Sequence, residues 1–316
     1  MVMISKLSDY VGHCVEGNYR LSKIQRSSDS NNNSKMVALL EDCSGQVYCD
    51  DWKLNTSFTG ELSSNLYCCL MYIREGAGVV SAELLSAKPA ETNPEHALQF
   101  LPYSALAIPQ TVMVLRAIIL QCPITALRQF INSVFSCDDI ALAFFQLPAS
   151  REHHHAYPGG LAEHSLEVVT IVQHSLWQVS QDEYWLTIVA ALFHDIGKLK
   201  VFKRGGDKTA TGFVLDHDAL TLEILAEPLR TLDNIWPDGA IALRYLLTKA
   251  AKTARPLMPC ALAIEYADKM SSAQSTKQQA FHQKPAWQRF AKLEAKGPSS
   301  LFWRPDSSSS VQGVIS

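Results

Sequence analysis

Four of the ten histidines in this chain fall within twelve positions, "HHHAYPGGLAEH" at residues 153 to 164. Imidazole ligates divalent metals and carries protons near neutral pH, so such a concentration is a candidate for chemistry. Further on, "EYWLTIVAALFHDIGK" closes a nearly continuous apolar run on His194, Asp195, Ile196, Gly197 and Lys198. An adjacent His and Asp at the end of a buried helix place ionisable groups where charge is costly, unless they are paired or bound to a cation. A third segment, "PCALAIEYADKMSSAQ", contributes Asp268. Imidazole and carboxylate together suit a divalent transition metal, manganese first, with iron, nickel or zinc as alternatives; magnesium prefers an all-oxygen shell. Lys198 stands one step past Gly197, where an ammonium meets an anionic substrate oxygen.

Helices must position these groups. "GGLAEHSLEVVTIVQHSLW" reads as a helix after a glycine pair, with Leu161, His164, Val168 and Ile171 or Val172 on one face. His164 then points inward, as a ligand or as a hydrogen-bonded core histidine. Gly197 supplies a stop for the helix ending in His194. Asp268 shares a helical face with Ala261, Ile264 or Glu265 and Ser271 or Ser272; the alternative is a surface Asp paired with Lys269 or Lys292. The three histidines 153 to 155 read as a substrate-side loop or as a solvated run.

Ahead of this region the texture is strand-like. "MVALLEDCSGQVYCDDW" and "SNLYCCLMYIREGAGVVSAELLSAKPAE" are two hairpins with turns at Asp42 to Gly45 and Gly76 to Gly78. A polar insertion, "SSDSNNNS", precedes them. Short strands with glycine turns predict a small barrel of the oligonucleotide/oligosaccharide-binding (OB) type, with Tyr48, Trp52, Tyr67 and Tyr72 available for base stacking or for the core. "KPAETNPEHALQFLP" reads as a linker, and the texture turns helical from Pro109. The expected organisation is α+β and multidomain: an OB-like barrel over 1–90, a linker over 91–108, an all-α domain over 109–296 and a serine-rich tail over 297–316.

Charge and composition bound the function. The formal net charge of −3 and pI near 6.4 argue against coating nucleic acid by bulk positive charge, while allowing a local basic groove. The start has no basic and apolar leader pattern, and the apolar stretch 104–127 is broken by Pro109, Arg116 and Pro123. Eight cysteines without CxxC spacing suit reduced thiols, so a cytoplasmic protein without a membrane partner is expected. Oligomerisation is left open.

The order His164, then His194-Asp195, then Asp268, with the HDIGK ending and "YADK", resembles the HD-domain superfamily of metal-dependent phosphohydrolases. The resemblance implies that those four residues hold the metal and that Asp195 and Lys198 serve catalysis. "LPASREHHHAYPGGLAEHSLEVV" with "ALFHDIGK" is similar, more narrowly, to the YhaM family of 3′-to-5′ exoribonucleases, which join an OB domain to an HD domain. That likeness implies a phosphodiesterase on single-stranded RNA or DNA, with His153, His154, His155, Gly159 and Gly160 lining the substrate side. Many two-metal relatives carry more histidines before the final Asp. His217 matches one of them, but Asp218 to Tyr266 contains no histidine pair. Arg244, Lys249, Lys252 and Arg255 make that segment basic, for a phosphate backbone or as a solvated face, and Arg255 is the substrate-binding candidate among them. Nucleotide hydrolysis, DNA processing as in relaxases of the MobH class, and a non-catalytic nucleic-acid-binding scaffold are the competing functions.

Overall fold

The computed structural model describes residues 2–28, 34–50, 66–91, 94–151, 155–248, 253–293 and 300–305. Trp52, His153, His154, Lys249, Lys252, most of the polar insertion and most of the tail lie outside the described residues.

Alternating apolar residues close the first five strands into a barrel. The strands are β1 (Cys14–Ser28), β2 (Ser34–Asp42), β3 (Gly45–Asp50), β4 (Leu66–Gly76) and β5 (Val79–Pro89), in the order β1-β2-β3-β5-β4. β1 pairs antiparallel with both β2 and β4, and β3 closes the ring on β5 in parallel. In β4, Cys69, Met71 and Ile73 face inward with no exposure, and Val15, Tyr19, Leu40, Val47 and Leu84 fill the interior from the other strands. The β4–β5 turn has Ala77 and Gly78 at φ 53° and 77°, the doubly positive backbone of a two-residue hairpin loop.

The helices run α1 (Pro109–Gln121), α2 (Thr125–Phe135), α3 (Asp138–Gln146), α4 (Gly160–Ser175), α5 (Gln181–Phe193) and α6 (Lys198–Val201). They continue as α7 (Ala210–Val214), α8 (His217–Ile224), α9 (Ala226–Ile235), α10 (Pro237–Leu246) and α11 (Ala261–Phe281), followed by a short antiparallel pair, β6 (Phe290–Leu293) and β7 (Ser300–Trp303). No helix among the described residues is long and apolar enough to cross a membrane.

The chain divides into two compact units. One comprises Met1–Gln146 with Leu225–Ala240, the other Leu147–Ile224 with Ile241–Ser316. The sequence places a linker at 91–108, whereas the structure folds that segment within the first unit as 3-10 turns at Pro94–Phe100 and Tyr103–Ala105. Leu98, Phe100 and Leu101 are buried there, and the segment's polar groups are tied to barrel residues. Cys43 N–H donates to the Gln99 carbonyl (2.9 Å), Arg20 Nε–H to the Phe100 carbonyl (2.9 Å), and Ser104 N–H to buried Glu41 (3.0 Å). α1 to α3 and α9 join this unit because their apolar faces have partners in it: Phe135, Phe144 and Phe145 stack with centroids 5.2 to 5.8 Å apart, and α2 packs against α9.

In the second unit α4 packs against α5 and α11, and α5 also meets α11. Residues Trp185 to Phe193 of α5 are all buried, and Ser180 caps the helix by accepting from Glu183 N–H (3.2 Å).

Candidate metal centre

Three helices bring the candidate ligands together. α4 supplies His164 from its buried face, α11 supplies Asp268, and the turn after α5 supplies His194 and Asp195. His164 Nε2 lies 3.1 Å from Asp268 Oδ1 and 3.4 Å from Asp195 Oδ2; His194 Nε2 lies 3.9 Å from that Asp268 oxygen and 3.4 Å from that Asp195 oxygen. A cation about 2.1 Å from each donor sets donor-to-donor edges of about 3.0 to 3.4 Å, close to this arrangement. His164, His194 and Asp268 each offer an atom within 4.8 Å of the others.

Proton positions decide what the cluster is for. His194 Nδ1 lies 2.7 Å from the Ala191 carbonyl, an acceptor, so Nδ1 carries the hydrogen. Burial pushes the His194 pKa down, so the ring is neutral and Nε2 presents a lone pair. That lone pair is buried, makes no hydrogen bond among the described residues, and faces two carboxylate oxygens. Acceptor facing acceptor is repulsive where the imidazole nitrogen is cut off from water, and a cation between them removes the conflict. The residues therefore fit a divalent metal.

His164 is oriented by a relay. Ser271 Oγ–H donates to Glu167 Oε2 (2.7 Å), which leaves the Ser271 oxygen as acceptor for His164 Nδ1–H (3.0 Å) and turns Nε2 toward the carboxylates. Burial opposes charging the His164 ring, but hydrogen bonds to Asp195 and Asp268 outweigh it and raise its pKa. Burial likewise pushes Asp195 up, while the Lys198 ammonium, His194, His164 and His217 overcome it and hold the carboxyl well below the usual range. Lys198 Nζ sits 2.5 Å from Asp195 Oδ2. Asp268 is lowered too, with His164 and His194 overriding burial.

His217, at the start of α8, approaches the other oxygen of Asp195: Nε2 to Oδ1 is 3.2 Å. Its ring also meets Asp216 (3.0 Å) and Asp218 (3.6 Å), and these three residues form a second group of metal-type donors. Asp216 and Asp218 flank His217, well ahead of "LRYLLTKAAKTARP", the region in which the histidine pair is missing.

Two glycines have a different reason from the expected one. Gly197 is not a left-handed stop; its φ is −56°, and a Cβ there would lie 1.9 Å from the His217 carbonyl oxygen. Gly160 meets the His155 carbonyl in the same way, at 2.1 Å, while Gly159 takes the left-handed φ of 81° that starts α4.

His155, expected on the substrate side, is buried with both ring nitrogens engaged, Nδ1 with Tyr157 (2.9 Å) and Nε2 with Glu167 (3.2 Å). It ends the relay that begins at His164. Arg255 is exposed before α11, with no interaction linking it to the cluster among the described residues. In the barrel, strand parity separates the aromatics. Tyr48 is exposed and Tyr72 half-buried beneath Arg74, whereas Tyr67 is buried. Glu167 and Ser271 were not singled out from sequence. Each lies three residues beyond a candidate ligand, His164 or Asp268, and that helical spacing is the signal that finds them.

Comparison with known families agrees with this geometry. Residues 161–273 match the HD domain. That match runs from α4 into α11, so the helical region around the candidate cluster matches the HD-domain fold. Residues 104–207 match the TraI_2 family, described as "Putative helicase". No curated protein and no solved structure matches the chain significantly. The protein thus joins a small OB-like β-barrel to a helical HD region, and the cluster has the residue set of an HD-type metal-binding catalytic site, incomplete for two metals.

Proposed function

We propose that this protein is a metal-dependent phosphodiesterase acting on single-stranded nucleic acid. The observation that carries the reading is the buried His194 lone pair facing Asp195 and Asp268 beside His164. His164, His194, Asp195 and Asp268 would hold a divalent ion, and the two-imidazole, two-carboxylate donor set favours manganese, iron, nickel or zinc. Bound there, the ion supplies Lewis-acid stabilisation of phosphoryl oxygens and acidifies water. The chain's own residues do the rest. Lys198 keeps Asp195 ionised and in place, the Glu167–Ser271 pair fixes the His164 ring, and His217 stands on the more exposed side of Asp195.

The substrate class rests on two supports. The barrel has the OB-like strand order, and exposed Tyr48 with half-buried Tyr72 offers stacking surfaces. The sequence resemblance to YhaM-type enzymes favours RNA and 3′-to-5′ trimming. A second reading, processing of DNA, is favoured by the match of residues 104–207 to a family described as a helicase, since it spans His164, His194 and Asp195.

Elemental analysis, with a Mn²⁺ assay on 5′-labelled single-stranded RNA and DNA of one sequence, tests the reading. Shortened RNA supports the exoribonuclease form, cut or shortened DNA alone supports the second, and Asp195→Ala should abolish bound metal and turnover in either. A chain that takes up no metal and cuts neither strand is a binding scaffold, and the proposal is then wrong.

A further inference from the structure

Between Lys198 of α6 and His217 of α8, both beside the metal centre, lies a segment that the phosphodiesterase reading does not use. "KLKVFKRGGDK", residues 198–208, carries five cations and one anion. Lys198 is committed to Asp195 and Lys200 to Glu223 (2.6 Å). Lys203, Arg204 and Lys208 are exposed and make no ion pair among the described residues. They sit on a tight turn. Phe202 bridges to Lys208, Lys203 N–H donates to the Asp207 carbonyl (2.9 Å), and Gly206 closes the bend at φ 82°.

The next element displays apolar surface instead of hiding it. α7 is fixed from below: Thr209 caps it through Gly212 N–H (3.0 Å), and Gly212 lies so close to α6 that a Cβ would meet the Val201 carbonyl oxygen at 2.5 Å. Its outer residues Phe213 and Val214 are 72% and 82% exposed, and Leu215 follows at 48%. Single exposed apolar residues are ordinary, but three in a row on an anchored turn are not. Lys208 Nζ stands 5.9 Å from the centre of the Phe213 ring. A cavity of about 360 Å³ is lined by Phe213 and Lys208 together with Lys198 and His217 of the metal centre.

An aromatic face flanked by cations, opening onto a phosphodiester-cleaving centre, matches one ligand chemistry: a planar base followed by its phosphates. We infer that Phe213 with Lys203, Arg204 and Lys208 forms a nucleotide-binding subsite, which stacks an unpaired base of the strand and leads its backbone into the metal centre. The inference rests on the phosphodiesterase reading and gives it a strand path within the catalytic unit. Asp216 also lines the cavity and is paired with His217, while Lys208 gives the lining a cation with no ion pair among the described residues; Lys203 and Arg204 stand on the same turn, outside the lining.

The test uses the full chain in chelator, so that binding is read without turnover. Fluorescein-labelled single-stranded RNA is titrated by anisotropy, intact or lacking the base at the 5′ or the 3′ end. Phe213→Ala should weaken the intact strand about 5- to 150-fold, the range of one base-on-aromatic stack, and leave one of the end-abasic strands unaffected. Replacing Lys203, Arg204 and Lys208 together by Ala should lower the log–log salt slope by about 2, three contacts at about 0.7 each. Both variants should take up Mn²⁺ like wild type, which shows that the centre is still folded. Wild-type affinity and salt slope in both variants, from a protein that still cleaves, would overturn the subsite alone. Equal losses on intact and abasic strands would overturn the stacking. No strand binding and no cleavage by wild type would overturn the subsite and the phosphodiesterase reading together.

Discussion

Ser271→Ala removes a single oxygen, and its consequence can be worked from the hydrogen-bond directions. The Ser271 hydroxyl has one proton, given to Glu167, and one lone pair used here, which accepts from His164 Nδ1–H. Without it the His164 Nδ1–H loses its acceptor in a site that is fully buried, and the ring is free to take the other tautomer, with its hydrogen on the metal-facing nitrogen. Losing the partner that orients a metal-ligating histidine typically costs 10- to 100-fold in affinity, or about 1.4 to 2.8 kcal/mol. The buried unsatisfied N–H adds a stability loss of about 1 to 3 kcal/mol. Competition for Mn²⁺ against a fluorescent chelator measures the first effect and thermal melting of the metal-free chain the second. Ser275→Ala is the control. It lies one turn further along α11 and accepts from the His155 backbone N–H at 3.4 Å rather than from a candidate ligand, so it should leave metal affinity near wild type. If Ser271→Ala binds Mn²⁺ as tightly as wild type, the relay does not orient His164 and the tautomer argument is wrong.

Other outcomes follow from the same geometry. Gly197→Ala forces a methyl against the His217 carbonyl, so it should destabilise by at least about 3 kcal/mol and depress the melting temperature by several degrees; a neutral effect would show that the turn relaxes freely. Metal affinity should rise with pH through about 6.5 and above, because His164 and His217, both raised from that value against the opposing effect of burial, must shed protons to ligate; calorimetry in buffers of different ionisation enthalpy should find proton release on binding. Metal at 100 times its Kd should stabilise the chain by about 2.7 kcal/mol, so adding a chelator should lower the melting temperature, and an unchanged melt would argue that no ion is held in the native state. His217→Ala should leave one metal per chain while reducing turnover; unchanged turnover would remove His217 from the centre.

His164 and the His194-Asp195 pair stood out as candidate ligands because burial makes their chemistry expensive, whereas half-exposed Asp268 stood out only through its place after them in the chain. A histidine on an apolar helix face is by itself as readily a hydrogen-bonded core residue, and it was the His-Asp pair ending a helix buried all round that called for pairing or a cation. The barrel was legible through its turns and alternation, and parity alone separates inward Tyr67, in step with Cys69, Met71 and Ile73, from Tyr72. The relay was not legible. A serine and a glutamate on helices are ordinary residues, and only the approach of α4 to α11 gives Glu167 and Ser271 a shared role. The compact folding of 94–105 was hidden for a related reason: its polar composition reads as solvated, yet its backbone and Ser104 satisfy Arg20, Cys43 and Glu41. Similarly, α9 joins the first unit through α2, a long-range pairing that no local pattern announces.

The glycines explain why a histidine-rich segment takes this form. Gly160 and Gly197 each stand where a side chain would strike a backbone carbonyl, that of His155 in one case and that of His217 in the other. One approach sets the far end of the relay behind His164, and the other sets the histidine that faces Asp195 Oδ1. Hydrogen bonds lock both: Gly160 N–H to the Tyr157 carbonyl (2.9 Å), and Gly197 N–H to Thr221 Oγ1 (3.2 Å), whose hydroxyl donates to the His217 carbonyl (3.1 Å). Backbone contacts of this kind hold a site more rigidly than side-chain packing, because the peptide has no rotamers to yield. Substitution at either glycine should therefore disturb the metal centre even though neither residue offers it a ligand. Gly205, which has open space around it, should accept alanine without such an effect.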